Sequence, residues 1–274
     1  MPRSVHLSKN LIKNDTDRLT LISGPCLLEN EKLVRKVAQS LIKYAKKEKF
    51  NFVFKCSFDK ANRSSDKTIR SKISFDNSIE ILRNLKKDLK ISITSDVHET
   101  SQVDKLAEIL DVIQIPAFLC RQTDLIKAAA QTKKIVNVKK GQFLSHKEIS
   151  NIINKIENEN NKKILITERG NSFGYNYLIN DFKGIHFMKE FGYPIIFDST
   201  HSVQLPGGLG KKSGGAREFV APLSKAASSL RIAGFFIETH PNPEKALSDG
   251  PNMVYLHKMP ELLNAINKIN KAAK

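Results

Sequence analysis

The sequence has little of what marks secreted, membrane or nucleic-acid-binding proteins. Its 274 residues include no tryptophan and only three cysteines: Cys26, Cys56 and Cys120. The first residues lack the apolar core of a secretory signal peptide, and no uninterrupted apolar run has membrane-spanning length. An odd number of cysteines without such a signal predicts reduced thiols. We therefore expect a cytoplasmic protein that does not associate with membranes.

The net charge of +17 raises the question of a nucleic-acid partner. The lysines are spread along amphipathic stretches, as is typical of solvated helix faces. Helix-turn-helix and zinc-finger spacings are absent, and aromatic residues do not alternate with basic ones. We predict weak attraction to polyanions at low salt, but no specific nucleic-acid partner.

One unit repeats along the chain: a short apolar run, a polar segment and a stretch of helical period. The candidate strands are Leu19–Cys26, Phe50–Ser57, Ile91–Val97, Val112–Phe118, Ile135–Lys139, Lys163–Arg169, Pro194–Thr200 and Gly234–Thr239. Helices are predicted near 30–48, 76–89, 100–110, 122–132, 145–159, 179–190, 216–232 and 259–272. Eight such units predict a (β/α)₈ TIM barrel, an α/β fold, as a single domain over residues 1–274. Residues 1–18 are predicted to cap it.

The most informative segment follows the second predicted strand. There the apolar run 52–54 leads into Lys55, Lys60, Asn62 and Arg63, with serines among them. Ammonium and guanidinium groups with neutral donors are ligands for phosphates and carboxylates. A solvated basic loop would explain the charges but not the asparagine and serines. The segment therefore predicts a site for small, multiply anionic substrates.

Chelating residues fall at the ends of the first, seventh and eighth strands and in the following loop. They are Cys26, His201, Glu238 and Asp249. In a closed barrel these strands are neighbours, and a thiolate, an imidazole and two carboxylates suit a divalent ion such as Zn, Fe or Mn. No short motif links the four, and each also has an ordinary structural interpretation, such as a buried thiol or a turn. From the residues alone, a metal site and structural roles stay equally open.

Lys139 has two possible roles. A strand-end lysine could form a Schiff base if burial lowered its pKa. Alternatively Lys139 could belong, with Lys55, Lys60, Arg63 and Arg169, to a set of cations that hold a phosphate and a carboxylate; their number favours this role.

The glycine-rich segment Leu205–Gly215 lacks Walker spacing. We interpret it as a lid, with a mobile surface loop as the alternative.

These motifs together resemble the 3-deoxy-D-manno-octulosonate 8-phosphate synthase family along nearly the whole chain. The matching segments are Gly24–Cys26, Lys55–Ser65 (KCSFDKANRSS), Ser95–Glu99 (SDVHE), Asp111–Asp124, Asn137–Phe143 (NVKKGQF), Glu168–Tyr175, Phe197–Ser202 (FDSTHS), Gly214–Phe219 and Glu238–Pro241. The related synthase that uses erythrose 4-phosphate has Lys-Pro-Arg-Thr where this chain has Lys60-Ala61-Asn62-Arg63.

The resemblance implies condensation of phosphoenolpyruvate with D-arabinose 5-phosphate, for lipopolysaccharide biosynthesis, on a homotetrameric barrel. Lys139 and Arg169 would hold the phosphate of phosphoenolpyruvate. The implied substrate-binding set also contains Lys55, Ser57, Lys60 and Gln142 near its carboxylate, Gln114, and Asn62, Arg63 and Ser64 at the sugar phosphate. Asp96 would face the sugar aldehyde.

The implied catalytic residues are Lys60, Asp96, Cys26 and His201. Cysteine at position 26, together with His201, Glu238 and Asp249, resembles the metal-dependent members of the family, and the metal-free members have asparagine there. One departure follows Ser65, where the family commonly has Arg-Gly-Pro-Gly and this chain has Ile69–Ile73, which leaves the role of Arg70 open.

Overall fold

Eight parallel strands close into a barrel in the computed structural model, which describes residues 3–61, 70–173, 177–206 and 214–274. The strands are β1 (Thr20–Gly24), β2 (Asn51–Lys55), β3 (Ser92–Asp96), β4 (Val112–Ile115), β5 (Ile135–Lys139), β6 (Ile164–Glu168), β7 (Ile195–Asp198) and β8 (Gly234–His240). Each pairs with its neighbours in chain order, and β8 pairs with both β7 and β1. The predicted (β/α)₈ fold is confirmed.

Amphipathic helices cover the outside of the barrel. They are α1 (Glu31–Lys47), α2 (Phe75–Leu89), α3 (Thr100–Ala107), α4 (Thr123–Gln131), α5 (Ile149–Glu157), α6 (Phe182–Glu190), α7 (Val220–Ser228) and α8 (Met259–Ala272). Local sequence fixes where several begin. For example, the Asn30 side chain accepts a hydrogen bond from the backbone N–H of Leu33 at 2.9 Å and caps α1. The apolar stripe of each helix then packs on the strands.

Several predicted elements are longer than the observed ones. The predicted strand Val112–Phe118 ends at Ile115, because Pro116 has no N–H to donate and a 3₁₀ turn, Ala117–Leu119, follows. Two predicted helices, near 145–159 and 216–232, begin as 3₁₀ turns before α5 and α7. The type of element is right in each case, and the ends are wrong.

A hairpin closes the amino-terminal end of the barrel. Its strands, Val5–Leu7 and Asn10–Ile12, are antiparallel. The buried side chains of Val5, Leu7 and Ile12 join an apolar cluster with residues inside the barrel, including Phe236 of β8. The predicted amino-terminal cap is confirmed, and it leaves the opposite end of the barrel as the open mouth.

Two short antiparallel strand pairs lie at that mouth. Asn171–Ser172 pairs with Leu178–Ile179 after β6, and Gln204–Leu205 pairs with Gly214–Gly215 after β7. The second pair forms the base of the predicted lid, whose residues 207–213 lie outside the described part of the chain.

Helix length and polarity also bear on membranes. Within the described ranges, none of the helices combines the length and the apolar surface needed to cross a bilayer.

Candidate active site at the barrel mouth

The carboxyl ends of the strands bring the predicted polar residues to one mouth. Lys55 ends β2, Asp96 ends β3 and Lys139 ends β5, and all three are buried. At Gly24 of β1 a β-carbon would lie 1.9 Å from the backbone oxygen of Lys55, so only glycine allows the strands to approach here. This close approach puts Cys26, two residues on, beside the end of β2.

Three of the four predicted metal ligands meet at the mouth. One ligand atom each from Cys26, Glu238 and Asp249 lies within 4.8 Å of the others. The fourth, His201, directs Nε2 towards Glu238 Oε2 at 3.8 Å. Segments that are more than 200 residues apart in sequence, at Cys26 and Asp249, are therefore adjacent in space.

The Cys26 thiol keeps its proton in this environment. Burial raises its pKa well above the ordinary value, and the carboxylates of Asp249 and Glu238 raise it further. The thiol donates to Asp249 Oδ2 at 2.9 Å. Burial opposes ionisation of Asp249, but His201 and Lys60 outweigh it and hold the pKa of that carboxyl well below its usual range. A metal ion bound here would displace the thiol proton.

The two carboxylate oxygens of Glu238 have different surroundings. Oε1 accepts from Lys55 Nζ at 2.6 Å, and both side chains are buried. Oε2 is buried and has no hydrogen-bond partner among the described residues. An orphaned carboxylate oxygen beside a thiol, an imidazole and a second carboxylate fits a divalent transition ion. The residues present could therefore hold the predicted metal.

Lys139 and His201 both contact the carboxylate of Asp198. Its Nζ is 2.6 Å from Asp198 Oδ2 and 3.5 Å from the centre of the Phe236 ring, and His201 Nδ1 is 2.8 Å from the same Asp198 oxygen. Burial lowers the pKa of Lys139, although Asp198 opposes this effect. Sequence reasoning gave Asp198 no role; its spacing of three residues from His201 was the available signal.

Arg169 has a free hydrogen-bonding edge. Nη2 donates to Gln204 Oε1 at 2.5 Å, whereas the buried Nη1 has no partner within the described segments. The side-chain oxygens of Gln114 and Gln142 also lack hydrogen-bond partners there. Buried polar atoms are normally satisfied, so these atoms are suited to binding a ligand.

Ser57 joins the two lysines of the second strand end. Its Oγ accepts from Lys55 Nζ at 2.9 Å and from Lys60 Nζ at 3.1 Å. The pKa of Lys60 is raised well above its ordinary value: burial acts against this, and the nearby carboxylates of Glu238, Asp96 and Asp249 outweigh it. Lys60 is therefore a firmly charged cation at the mouth.

Asp96 contacts His98, which is not among the predicted site residues. Its Oδ2 is 3.0 Å from His98 Nε2, and Oδ1 has no hydrogen-bond partner in the described part of the chain. Burial raises the pKa of Asp96, but His98, Lys55 and Lys60 outweigh it, and the pKa lies well below its usual range.

Three predicted sugar-phosphate ligands, Asn62, Arg63 and Ser64, lie outside the described residues. Arg70, whose role in the sugar site the sequence leaves open, contacts Asp59. The guanidinium binds both carboxylate oxygens of Asp59, with Nη2 2.5 Å from Oδ2. In this structure Arg70 pairs with Asp59.

Lys139 and Lys140 are adjacent in sequence but have different partners. Lys140 Nζ lies 3.3 Å from Glu168 Oε2, donates to the backbone oxygen of Leu144 at 3.2 Å and also bonds to Asn171. Glu168 in turn accepts from the N–H of Gly170, whose φ is +91°. This buried network supports the loop that carries Arg169, and the mouth is left to Lys139.

Four cations and four carboxylates lie at the mouth among the described residues. The cations are Lys55, Lys60, Lys139 and Arg169, and the carboxylates are Asp96, Asp198, Glu238 and Asp249. A bound divalent ion would add positive charge to this set. The pair of sites together could then attract two anionic substrates that repel each other.

The chain is similar to known proteins over nearly its whole length. The family model described as the DAHP synthetase I family matches residues 4–274. Three similar proteins are each named "2-dehydro-3-deoxyphosphooctonate aldolase". That of Desulfotalea psychrophila is 50% identical over 93% of this chain and 90% of its own length. That of Geobacter sulfurreducens is 45% identical over 100% of both chains, and that of a Cyanothece strain is 45% identical over 98% of both. The chain therefore belongs to the DAHP synthetase I family, and within it to the 2-dehydro-3-deoxyphosphooctonate aldolases.

Proposed function

We propose that the protein is an enzyme that condenses phosphoenolpyruvate, D-arabinose 5-phosphate and water to 3-deoxy-D-manno-octulosonate 8-phosphate and phosphate, a step of lipopolysaccharide biosynthesis. The observation that carries the proposal is the contact between anion-binding and chelating residues. Lys55 is 2.6 Å from Glu238, and Lys139 is 3.4 Å from His201 Nδ1. The cytoplasm, a reducing compartment, suits the three unpaired cysteines.

The cations position the reactants. Lys139 and the free edge of Arg169 hold the phosphate of phosphoenolpyruvate, and Lys60 and Lys55 lie around its carboxylate with Ser57, Gln114 and Gln142. Carbon 3 of the enol attacks the aldehyde carbon of the sugar, and water adds at carbon 2. The C–O bond to phosphate then breaks, and phosphate leaves. Fixed cations and amides lower the barrier mainly by holding two repelling anions in reacting geometry.

Asp96 faces the reacting end of the sugar. Its unpartnered Oδ1 can accept a hydrogen bond from a sugar hydroxyl, while Oδ2 is held by His98 at 3.0 Å. A side chain fixed at one oxygen orients the other without further loss of conformational entropy. Sugar-phosphate binding is assigned to Asn62, Arg63 and Ser64.

The metal ion is assigned to Cys26, His201, Glu238 and Asp249. When bound, a divalent ion supplies a Lewis acid that can polarise the aldehyde or activate the water. The protein side of this arrangement is the set of groups around it. Lys55 neutralises one oxygen of Glu238, and Asp198 holds His201 through Nδ1, which leaves Nε2 as the ligand atom.

A Schiff-base aldolase that uses Lys139 is not favoured. Burial lowers the pKa of Lys139, as Schiff-base chemistry would need, but the ion pair with Asp198 at 2.6 Å opposes this and favours the protonated amine. A related synthase for another aldose phosphate is the second alternative, and the three similar proteins compared above do not carry its name.

The reaction can be tested by phosphate release from phosphoenolpyruvate. We expect one phosphate per phosphoenolpyruvate consumed with D-arabinose 5-phosphate, and none with either substrate alone. Erythrose 4-phosphate is the matched control sugar, because it separates this activity from that of the related synthase. The proposed function would be contradicted if phosphoenolpyruvate released phosphate with erythrose 4-phosphate but not with D-arabinose 5-phosphate. Release from phosphoenolpyruvate without any sugar would also contradict it.

We propose a homotetramer as the working assembly. Support comes from exposed aromatic side chains beside the mouth: Phe118, Phe143 and Phe173 are 55%, 55% and 71% exposed. Large exposed apolar groups on one side of a protein commonly mark an interface. Sedimentation equilibrium is expected to give four chain masses, and a single chain mass at micromolar concentration would contradict the assembly.

A further inference from the structure

One side chain touches both halves of the site. Gln204 Oε1 accepts from Arg169 Nη2 at 2.5 Å, and Gln204 Nε2 donates to Asp249 Oδ1 at 3.0 Å. Arg169 belongs to the phosphate set, and Asp249 belongs to the chelating set. The two residues lie 80 positions apart, after β6 and after β8.

The orientation of this amide is fixed by its partners. An arginine can only donate hydrogen bonds, and an ionised aspartate can only accept them. The contact with Arg169 Nη2 therefore needs an acceptor, and Asp249 Oδ1, at 3.0 Å on the other side of the amide, accepts from its nitrogen. The oxygen of Gln204 must therefore face Arg169, and its nitrogen must face Asp249. Among uncharged side chains, an amide supplies both an acceptor and a donor at this reach.

The backbone at Gln204 is also held in place. Gln204 directly follows the 3₁₀ turn His201–Val203, which begins at a predicted metal ligand. It pairs with Gly215 across a two-stranded ribbon, and Ala216 N–H donates to the backbone oxygen of Val203 at 3.0 Å. The amide therefore projects from an anchored segment.

Its partners have few other supports. Arg169 makes no ion pair among the described residues, and its Nη1 has no hydrogen-bond partner there. Oδ1 of Asp249 has Gln204 as its partner, while Oδ2 contacts Cys26 and Ser248, each at 2.9 Å. Loss of the amide would free one edge of each group.

We propose that Gln204 is a positioning residue that sets both the metal ligand Asp249 and the phosphate ligand Arg169. The inference rests on the proposed function. It adds a residue that does not itself touch the reacting atoms of the substrates. Outer partners of metal ligands typically change metal affinity by 10–100-fold when they are removed. Gln204 acts in this way on Asp249, and it presents the guanidinium of Arg169 in one orientation.

The test is Gln204→Met, which keeps the length of the side chain and removes both hydrogen bonds. Mn²⁺ binding to the metal-stripped protein, measured by calorimetry, is expected to weaken about tenfold. At saturating Mn²⁺ the KM for phosphoenolpyruvate is expected to rise about fivefold or more, with a smaller fall in kcat, because the lost bond positions the ground-state phosphate.

The matched control is Asn180→Leu. Asn180 donates to Ser202 Oγ at 2.9 Å, on the same segment, so this change also removes an amide beside the His201–Val203 turn. Mn²⁺ affinity and KM are expected to stay within about twofold of wild type. Equal losses in both variants would mean that the segment is merely disturbed, and would overturn the proposal.

A second variant tests the same role if Gln204→Met does not fold. Gln204→Asn keeps an amide but is one methylene too short to reach both partners, and it is expected to weaken Mn²⁺ binding at least about threefold. Unchanged Mn²⁺ affinity and KM in this variant would overturn the proposal. The calorimetric comparison needs no turnover, so failure of the proposed reaction and failure of the role of Gln204 are distinguishable.

Discussion

Removal of the metal ion by a chelator is expected to lower turnover by about a thousandfold or more, and Zn²⁺, Fe²⁺ or Mn²⁺ is expected to restore it. A Lewis-acid contribution of several kcal/mol corresponds to this factor, since about 1.4 kcal/mol changes a rate tenfold. The expectation rests on the close group Cys26, Glu238 and Asp249, with His201 facing it. Turnover by phosphate release and metal content by elemental analysis are measured on the same samples.

Cys26→Ser tests the ligand set behind this expectation. Replacement of the thiolate by a hydroxyl removes the softest ligand, so metal content should fall below about a tenth per chain after dialysis. Cys120→Ser is the matched control, because Cys120 is also a buried cysteine but belongs to the hydrophobic core. Full activity in metal-free protein would reject the metal assignment, and unchanged metal content in Cys26→Ser would remove Cys26 from the ligands.

Arg169→Met is expected to lower kcat/KM for phosphoenolpyruvate by two to three orders of magnitude. Loss of one buried charge that pairs with a ligand costs about 2–5 kcal/mol. Arg169 is a cleaner test than Lys139, because Lys139 neutralises the buried Asp198 and its removal would disturb the protein itself. Among the described residues Arg169 makes no direct ion pair with a carboxylate, and its buried Nη1 has no hydrogen-bond partner.

The control for this variant is Arg231→Met. Arg231 donates to the backbone oxygen of Asn270 and pairs with Asp17, at the capped end of the barrel. Its removal should leave kcat/KM within about twofold of wild type. Arg169→Met should also keep its metal content, whereas Cys26→Ser should lose it. An Arg169→Met enzyme with wild-type kcat/KM would contradict the phosphate assignment.

The fold could be predicted because period and composition report it directly. The buried strands are short apolar runs, and the helices between them repeat apolar residues with helical spacing. The ends were harder, because they depend on single residues. Pro116 stops β4, and 3₁₀ turns precede α5 and α7, none of which changes the apolar pattern much.

The residues of the site could be predicted better than their partners. Strand ends converge in any closed barrel, so the gathering of Lys55, Lys139 and Glu238 follows from topology. The pairing of Lys55 with Glu238, or of Lys139 with Asp198, depends on side-chain directions that no periodicity encodes. Gln204 lies between Val203 and Leu205, outside the motifs of the sequence, and only its contacts reveal it.

These pairings change the interpretation of the cations at the mouth. Two lysines predicted as anion ligands are already paired with buried carboxylates, so an incoming phosphate or carboxylate shares them with Asp198 or Glu238. Phosphoenolpyruvate binding is then expected to depend most on the groups with free donors, such as Arg169.

A crystal structure of the metal-loaded protein with phosphoenolpyruvate would show whether the ion and the phosphate share one mouth. We expect one ion within bonding distance of Cys26, His201, Glu238 and Asp249, and the phosphate of phosphoenolpyruvate on Lys139 and Arg169 in the same mouth. An ion held by other residues, or a phosphate bound outside the carboxyl ends of the strands, would contradict this expectation.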